Sequence, residues 1–118
     1  MARQSSNAKG NAKRGTYLRG RSKKWLEERG WDVAILERMR TIPKPRGKPH
    51  YVKYDTFGAD LVAMNGKTIA FINSKGGRKH LSEGRKEFAK YQYPPGVKCW
   101  LMIWEPYARK PEIEEVEH

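Results

Sequence analysis

Three polar residues near the middle of the chain have the types and spacing of a phosphodiester-cleaving site. Asp60 precedes one apolar run, Asn73 and Lys75 end the next, and Asn65-Gly66 lies between the two runs. A carboxylate and a second oxygen ligand can hold a divalent cation that polarises a phosphate, while a lysine stabilises the developing negative charge. The spacing therefore predicts metal-dependent phosphodiester hydrolysis.

The two apolar runs predict a β-hairpin that brings these residues together. Asn65-Gly66 favours a two-residue type I′ turn, because both residues tolerate a positive φ. With that turn, Asp60 faces Phe71, and Asp60 and Asn73 become diagonal neighbours roughly 7 Å apart at Cβ. Alternation of side chains places Asp60, Phe71, Asn73 and Lys75 on one face of the sheet and Ser74 on the other.

The chain is short and strongly basic. Its 118 residues favour one domain, and 25 Lys and Arg against 13 Asp and Glu give a formal charge of +12. Four of the acids lie in the last seven residues, so residues 1–111 carry 25 basic residues against 9 acidic ones, a balance of +16. This excess favours a polyanionic partner, although a thermophile-like charged surface is an alternative.

Other classes of protein fit the composition poorly. No apolar run approaches the roughly 20 residues that span a bilayer, and the N-terminal region lacks the apolar segment of a signal peptide. We therefore expect no membrane role and a cytoplasmic location. Cys99 has no partner for an intramolecular disulfide, and His50, His80 and His118 lack the spacing of zinc ligands.

The hydrophobic pattern predicts an α/β domain. Its elements are a helix over residues 16–29, a strand over 31–38, the hairpin, a helix over 79–91 and a strand over 97–104. Residues 39–54 are Pro-rich, contain no acid, and predict a binding loop in which residues 51–54 pair as a short strand. We expect a flexible basic arm over residues 1–14, a nuclease-like domain over 15–107 and an acidic C-terminal tail over 108–118.

The hairpin residues resemble the PD-(D/E)XK nuclease motif. Asp60, twelve further residues, and then Asn73, Ser74 and Lys75 occupy its positions in register, with Asn73 in place of the second carboxylate. Because Mg²⁺ favours carboxylates, this change weakens the expected metal site. With the order of the elements, the motif implies the restriction-endonuclease-like fold, which has an αβββαβ core and a mixed central sheet flanked by helices.

Between residues 14 and 104 the chain resembles the small Holliday-junction resolvases of archaea and phages. The resemblance rests on Arg14-Gly15, on Leu-Glu-Glu-Arg-Gly-Trp over 26–31, and on residues 58–63 and 71–76. It implies a phage-encoded endonuclease that resolves four-way or other branched DNA junctions, with Mg²⁺ as cofactor or Mn²⁺ as its substitute. It also implies a homodimer in the host cytoplasm, because two active sites must cut two strands.

The resemblance assigns roles to individual residues. It implies that Asp60, Asn73 and Lys75 are catalytic, and that Asp60, Asn73 and the backbone carbonyl of Ser74 contact the metal. The family has another metal-site Glu in the first helix, where this chain has Arg19. Glu37 is the nearest substitute and our fourth catalytic candidate; its alternative role is an ion pair with Arg38 or Arg40. Asp55 could also reach the site, but a turn role is simpler.

Many cations are expected to contact DNA phosphates. They are Arg14, Arg19, Arg21, Arg38, Arg40, Lys44, Arg46, Lys48, Lys53, Arg78 and Lys79. Lys75 could be one more phosphate contact rather than a catalytic residue, and the four Trp are expected in the core. Two alternative functions stay open: a catalytically impaired nuclease-fold protein that only binds branched DNA, and an RNA-binding accessory protein.

Overall fold

A computed structural model describes the backbone of residues 3–42, 47 and 50–118, and the side chains of residues 15–38, 47 and 55–118. The elements are α1 (Arg3–Glu27), β1 (Asp32–Ile35), β2 (Arg38–Ile42), β3 (His50–Tyr54), β4 (Leu61–Met64), β5 (Ile69–Lys75), a 3₁₀ turn (Arg78–His80), α2 (Leu81–Ala89), β6 (Lys98–Ile103) and β7 (Glu112–Glu115). The predicted αβββαβ order is present as α1-β1-β4-β5-α2-β6. No helix in these described ranges is long and apolar enough to cross a membrane.

The central sheet has five strands in the order β1-β4-β5-β6-β7. Strands β5 and β6 are parallel, and every other pair in this sheet is antiparallel. A parallel pair needs a crossover connection, and α2 provides it here. The predicted α/β class with a mixed sheet flanked by helices is therefore confirmed. Strands β2 and β3 form a separate antiparallel pair, so the expected pairing of residues 51–54 is also present.

The hairpin of β4 and β5 forms, but its predicted register is wrong. Met64 pairs with Ile69, and Leu61 pairs with Ile72. The Asn65 side chain is the reason, because its Oδ1 accepts the N–H groups of Lys67 and Thr68 at 3.0 and 2.9 Å. The turn therefore centres on Gly66-Lys67, and Gly66 has a φ of 88°. A slip of two residues leaves every side chain on its predicted face.

The structure has regular secondary structure near both ends of the chain. Helix α1 continues back to Arg3, through the segment expected to be a basic arm. At the other end, β7 pairs with β6 and becomes the edge strand of the central sheet. Ion pairs from Arg78 to Glu112 and from Arg85 to Glu114 attach this acidic strand to the α2 region. The division into arm, domain and tail stays a prediction.

The two helices cover opposite faces of the central sheet. On the α1 face, Leu18 and Leu26 pack against a buried cluster of Leu61, Ala63, Ala70, Ile72, Met102 and Trp104. On the α2 face, Phe88 packs with Ala59, Cys99 and Leu101. Trp25, Trp31 and Trp100 pack against the first cluster, as expected for core tryptophans. Alternation along β5 then points Ser74 to the α1 face and Asn73 and Lys75 to the α2 face.

Candidate functional site

Asp60 lies at the start of β4, where backbone hydrogen bonds hold it on both sides. Its N–H donates to the carbonyl of Ile72 at 2.9 Å. Its own carbonyl accepts the N–H groups of Leu36 and Glu37 at 2.8 and 3.3 Å. If the ladder of β4 and β5 is continued by one residue, Asp60 stands directly opposite Asn73. The predicted diagonal relation is replaced by this closer one.

The Asp60 carboxyl is buried and only partly satisfied. Its Oδ2 accepts the N–H of Ser74 at 3.2 Å, whereas its buried Oδ1 has no hydrogen-bond partner among the described residues. Burial, followed by the nearby Asp55 and Glu37 carboxyls, raises the pKa of Asp60 to about 8. The Ser74 N–H and Arg19 act in the opposite direction. A buried carboxyl with an open oxygen is a group that a cation would stabilise.

Asn73 is also buried, and its amide has a structural partner. Its Nδ2 donates to the carbonyl of Gly58 at 2.8 Å, so Oδ1 is the oxygen that remains for a cation. Gly58 has a φ of 73°, and a Cβ there would lie 2.9 Å from the carbonyl oxygen of Glu87. Glycine is therefore required at position 58. An ionised carboxylate at position 73 would have no hydrogen to donate to the Gly58 carbonyl.

Lys75 and Ser74 leave β5 on opposite sides. A Cβ at Gly84 of α2 would lie 3.3 Å from Lys75 Cε, so the lysine side chain crosses α2 at this glycine. Ser74 Oγ shares a hydrogen bond of 2.7 Å with Ser22 Oγ of α1, and Ser22 Oγ accepts from Trp104 Nε1 at 2.9 Å. The Ser74 side chain thus belongs to the α1 face, and only its backbone adjoins Asp60.

Glu37 lies next to Asp60, but its carboxylate is paired with Arg19. Arg19 Nη1 lies 3.0 Å from Glu37 Oε2, and the two side chains are 16% and 13% exposed. The pairing with Arg19 was not predicted, and the predicted pairing with Arg40 lies outside the described side chains. Arg19 thus places a positive charge beside the site.

Asp55 belongs to the same electrostatic group. Burial raises its pKa, as do Glu37 and Glu87, while Lys75 and Arg19 lower it. The assignment of Asp55 to a turn did not predict that its carboxyl lies close to that of Asp60. The available signal was the short spacing to Asp60 across the turn at residues 56–59, which is closed by hydrogen bonds of 3.1 and 3.0 Å between Thr56 and Ala59.

The residues around Asp60 fit the divalent cation that the motif implies only in part. The open Oδ1 of Asp60 suits a hard cation, and the Asn73 Oδ1 and Ser74 carbonyl are further oxygen donors of the right chemistry. Glu37 fits less well while Arg19 holds it. Within the described side chains, no three His, Cys, Asp or Glu come together as a metal-holding group. The residues therefore fit one weakly held cation centred on Asp60.

Several predicted DNA-binding cations already have partners within the protein. Arg19 pairs with Glu37, and Arg78 pairs with Glu112. Arg21 donates to the Ala108 carbonyl at 2.7 Å and lies 4.1 Å from the centre of the Trp104 ring. Arg38 and Lys79 are exposed. The side chains of Arg14, Arg40, Lys44, Arg46, Lys48 and Lys53 lie outside the described residues.

Comparison with known proteins identifies the fold. No protein-family model and no curated protein sequence matches the chain significantly. Among solved structures, the chain is similar to Hjc of Archaeoglobus fulgidus, a Holliday junction resolvase from an archaeal hyperthermophile. The TM-score is 0.53 at 17% sequence identity, over 87% of this chain and 71% of that one. The chain therefore has a restriction-endonuclease-like fold of the kind found in that resolvase.

Proposed function

We propose that this protein is a structure-selective DNA endonuclease that cuts branched DNA, with four-way junctions as its main substrate. The observation that carries the proposal is the buried Oδ1 of Asp60, which has no hydrogen-bond partner among the described residues and lies beside Asn73 and Lys75. The similarity of the fold to a Holliday junction resolvase supports the choice of substrate. The net charge of +12 supports a polyanionic one.

In this proposal each site residue has a separate task. Asp60, the Asn73 Oδ1 and the Ser74 carbonyl would hold Mg²⁺, or Mn²⁺ as its substitute. The cation would polarise the scissile phosphate and supply a hydroxide. Lys75 stabilises the negative charge that develops on the phosphate. Arg19 keeps Glu37 in place, and Glu37 joins the site only if this ion pair opens.

The exposed cations would hold the phosphate backbone around the site. Arg38 and Lys79 are exposed, and Arg78, whose side chain is 66% exposed, can exchange Glu112 for a phosphate. Arg14, Arg19, Arg21 and the cations of residues 39–54 complete the proposed DNA-binding set. A homodimer would place two sites on one junction, and the cytoplasm of a phage host is the proposed location.

A second function deserves equal testing because two contacts favour it. The Arg19–Glu37 ion pair occupies a carboxylate that a metal site would use, and the Asn73–Gly58 hydrogen bond holds a neutral amide where the nuclease motif has its second carboxylate. A protein with these contacts can retain a fold that binds branched DNA without cutting it. Binding and cleavage therefore have to be measured separately.

The deciding experiment uses end-labelled four-way junctions, duplex, single-stranded DNA and an RNA hairpin of similar length. The endonuclease proposal expects paired cuts in the junction with Mg²⁺ or Mn²⁺, and none with a chelator. Junction binding without cuts in any metal supports the binding protein instead. Preferential binding of the RNA would overturn both and support an RNA-binding role. Sedimentation of the protein with the junction tests the dimer.

The salt dependence of binding checks the assumed phosphate contacts. Each contact lowers the slope of log K against log salt by about 0.9 on duplex DNA. A steep negative slope is expected from the charge of the chain. A binding constant that does not change with salt would overturn the phosphate-contact model.

A further inference from the structure

One exposed aromatic residue near the candidate site has an unusual backbone conformation. Phe57 has a φ of 51°, although it is neither Gly nor Asn, and its side chain is 54% exposed. It shares a tight turn with Gly58, which also has a positive φ. A bulky residue with positive φ is uncommon, and such backbone strain is found preferentially at functional sites. Burial does not account for the aromatic ring, because about half of it faces solvent.

The surroundings of Phe57 fix the position of the ring. Its carbonyl accepts a hydrogen bond from the Tyr93 hydroxyl. The ring makes edge contacts with Phe71 and Tyr91, at centroid distances of 6.2 and 5.8 Å. Tyr91 is itself 38% exposed. Contacts with Phe71 and Tyr91 therefore fix the ring, while the residue stays partly exposed to solvent.

The turn that carries Phe57 is bonded directly to the candidate site. The carbonyl of Gly58 accepts the Asn73 amide, and Ala59 connects the turn to Asp60. Phe71, which the Phe57 ring contacts, precedes Asn73 by two residues on β5 and lies on the same face. Two residues of a strand span roughly 7 Å.

We propose that Phe57, flanked by Tyr91, is a stacking surface for an unpaired nucleobase of branched DNA, within a few nucleotides of the phosphate at Asp60. Bases that leave the helical stack are commonly received by aromatic side chains. Phe57 does not line a cavity itself, but its neighbour Tyr91 lines one of about 610 Å³ together with Tyr93. Base stacking here would distinguish a branch point from a continuous duplex. The inference rests on the proposed action on branched DNA.

The test compares Phe57→Asn with Tyr107→Asn. Asn tolerates positive φ, so Phe57→Asn removes the ring while keeping the turn. Tyr107 is a matched control, because it is fully exposed, has a φ of 64° and lies in the turn whose Ala108 carbonyl binds Arg21 of α1. Affinities are measured for a junction with unpaired bases at its centre and for a duplex of equal length. A 2-aminopurine at the branch point reports stacking by fluorescence quenching.

Phe57→Asn is expected to weaken junction binding by roughly 5- to 150-fold, the range for loss of one stacked base. Duplex binding should change less than about twofold, and Tyr107→Asn should leave both affinities near those of the parent. Quenching of the 2-aminopurine should disappear with Phe57→Asn and remain with Phe57→Tyr. Equal losses on junction and duplex, or unchanged junction binding, would overturn the proposal.

Two further comparisons distinguish failure of this inference from misfolding of the variant and from failure of the proposed function. If Phe57→Asn lowers the melting temperature strongly, Phe57→Leu and Phe57→Tyr replace it, because both keep an apolar body in the turn. Leu should then lose the junction preference and Tyr should keep it; equal behaviour overturns the inference. If the parent protein does not prefer branched DNA, the proposed function fails. The stacking surface is then judged on single-stranded DNA, where unchanged affinity of Phe57→Asn overturns it.

Discussion

Two groups of buried polar side chains, one on each face of the central sheet, differ in how their hydrogen bonds are satisfied. On the α1 face, Ser22, Ser74 and the Trp104 indole satisfy one another through hydrogen bonds of 2.7 and 2.9 Å. On the α2 face, the Asp60 carboxyl keeps an open Oδ1 and a raised pKa. Adjacent residues of one strand, Asn73 and Ser74, take part in these two arrangements. The Ser22–Ser74–Trp104 group can therefore contribute to stability, whereas the unsatisfied carboxyl lies in the proposed active site.

The largest expected effect comes from Asp60→Ala on the α2 face, and Ser74→Ala on the α1 face is the comparison. Asp60→Ala should lower junction cleavage roughly 100-fold or more, since it removes the central metal ligand, while junction binding stays equal or becomes tighter. Ser74→Ala keeps its backbone N–H and carbonyl, so cleavage should stay near the parent rate. It should cost about 1 kcal/mol of unfolding free energy, because Ser22 loses a hydrogen-bond partner. Initial cleavage rates and urea unfolding measure both. Parent-level cutting by Asp60→Ala would refute the site.

The raised pKa of Asp60 predicts a pH dependence of stability that the α1 face lacks. The folded-state pKa is about 8 against an ordinary 3.8, so the native protein binds this proton more tightly than the unfolded chain. Its stabilising contribution is present below pH 4 and is lost as the pH rises towards 8. In chelator, the parent should lose more unfolding free energy between pH 5 and pH 8 than Asp60→Asn. Denaturant titrations at both pH values measure these losses. Equal losses in the parent and in Asp60→Asn would contradict the raised pKa of Asp60.

A pair of glycine substitutions extends the comparison to the two helices. In α1, nothing lies within 4 Å of a Cβ added at Gly20, so Gly20→Ala should stabilise the protein by up to about 1 kcal/mol. In α2, a Cβ at Gly84 would lie 2.5 Å from Leu101 Cδ2. Overpacking costs about 1–3 kcal/mol, so Gly84→Ala should be destabilising by about 1 kcal/mol after the helix gain. Thermal unfolding measures the stability of both variants. Equal stabilisation by both would show that α2 packs less closely against Leu101 than this distance indicates.

Local sequence signals predicted most of the fold but not the details that depend on distant partners. Apolar periodicity predicted both helices and the order of the elements along the chain, and Asn65-Gly66 indicated a hairpin. Its register was wrong because the Asn65 side chain captures two N–H groups within the turn. Strand β7 resembled a solvated acidic tail, since its partners Arg78 and Arg85 are far away in sequence.

The candidate site shows the same division. The motif positions of Asp60, Asn73 and Lys75 could be found from spacing along one hairpin. The Arg19–Glu37 ion pair could not, because it joins a helix to the segment after β1 and depends on how the two pack. The proximity of Asp55 to Asp60 likewise depends on the turn at residues 56–59. Local chemistry is visible in the sequence, whereas long-range charge pairing requires the fold.

A substitution at Asn73 gives the most direct test of the α2 face as a metal site. Asn73→Glu changes the formal charge of the Asp60 pair from −1 to −2, which should tighten Mg²⁺ binding by about tenfold and raise cleavage. Without the cation, the variant should lose about 1 kcal/mol of stability, because Gly58 loses the Asn73 amide donor.

Asn65→Asp is the matched control, since it adds the same charge in an exposed turn and keeps the oxygen that accepts two N–H groups. Calorimetric titration with Mg²⁺ measures the affinities. If Asn73→Glu gains no more than Asn65→Asp, either the cation is held elsewhere or the fold serves DNA binding alone.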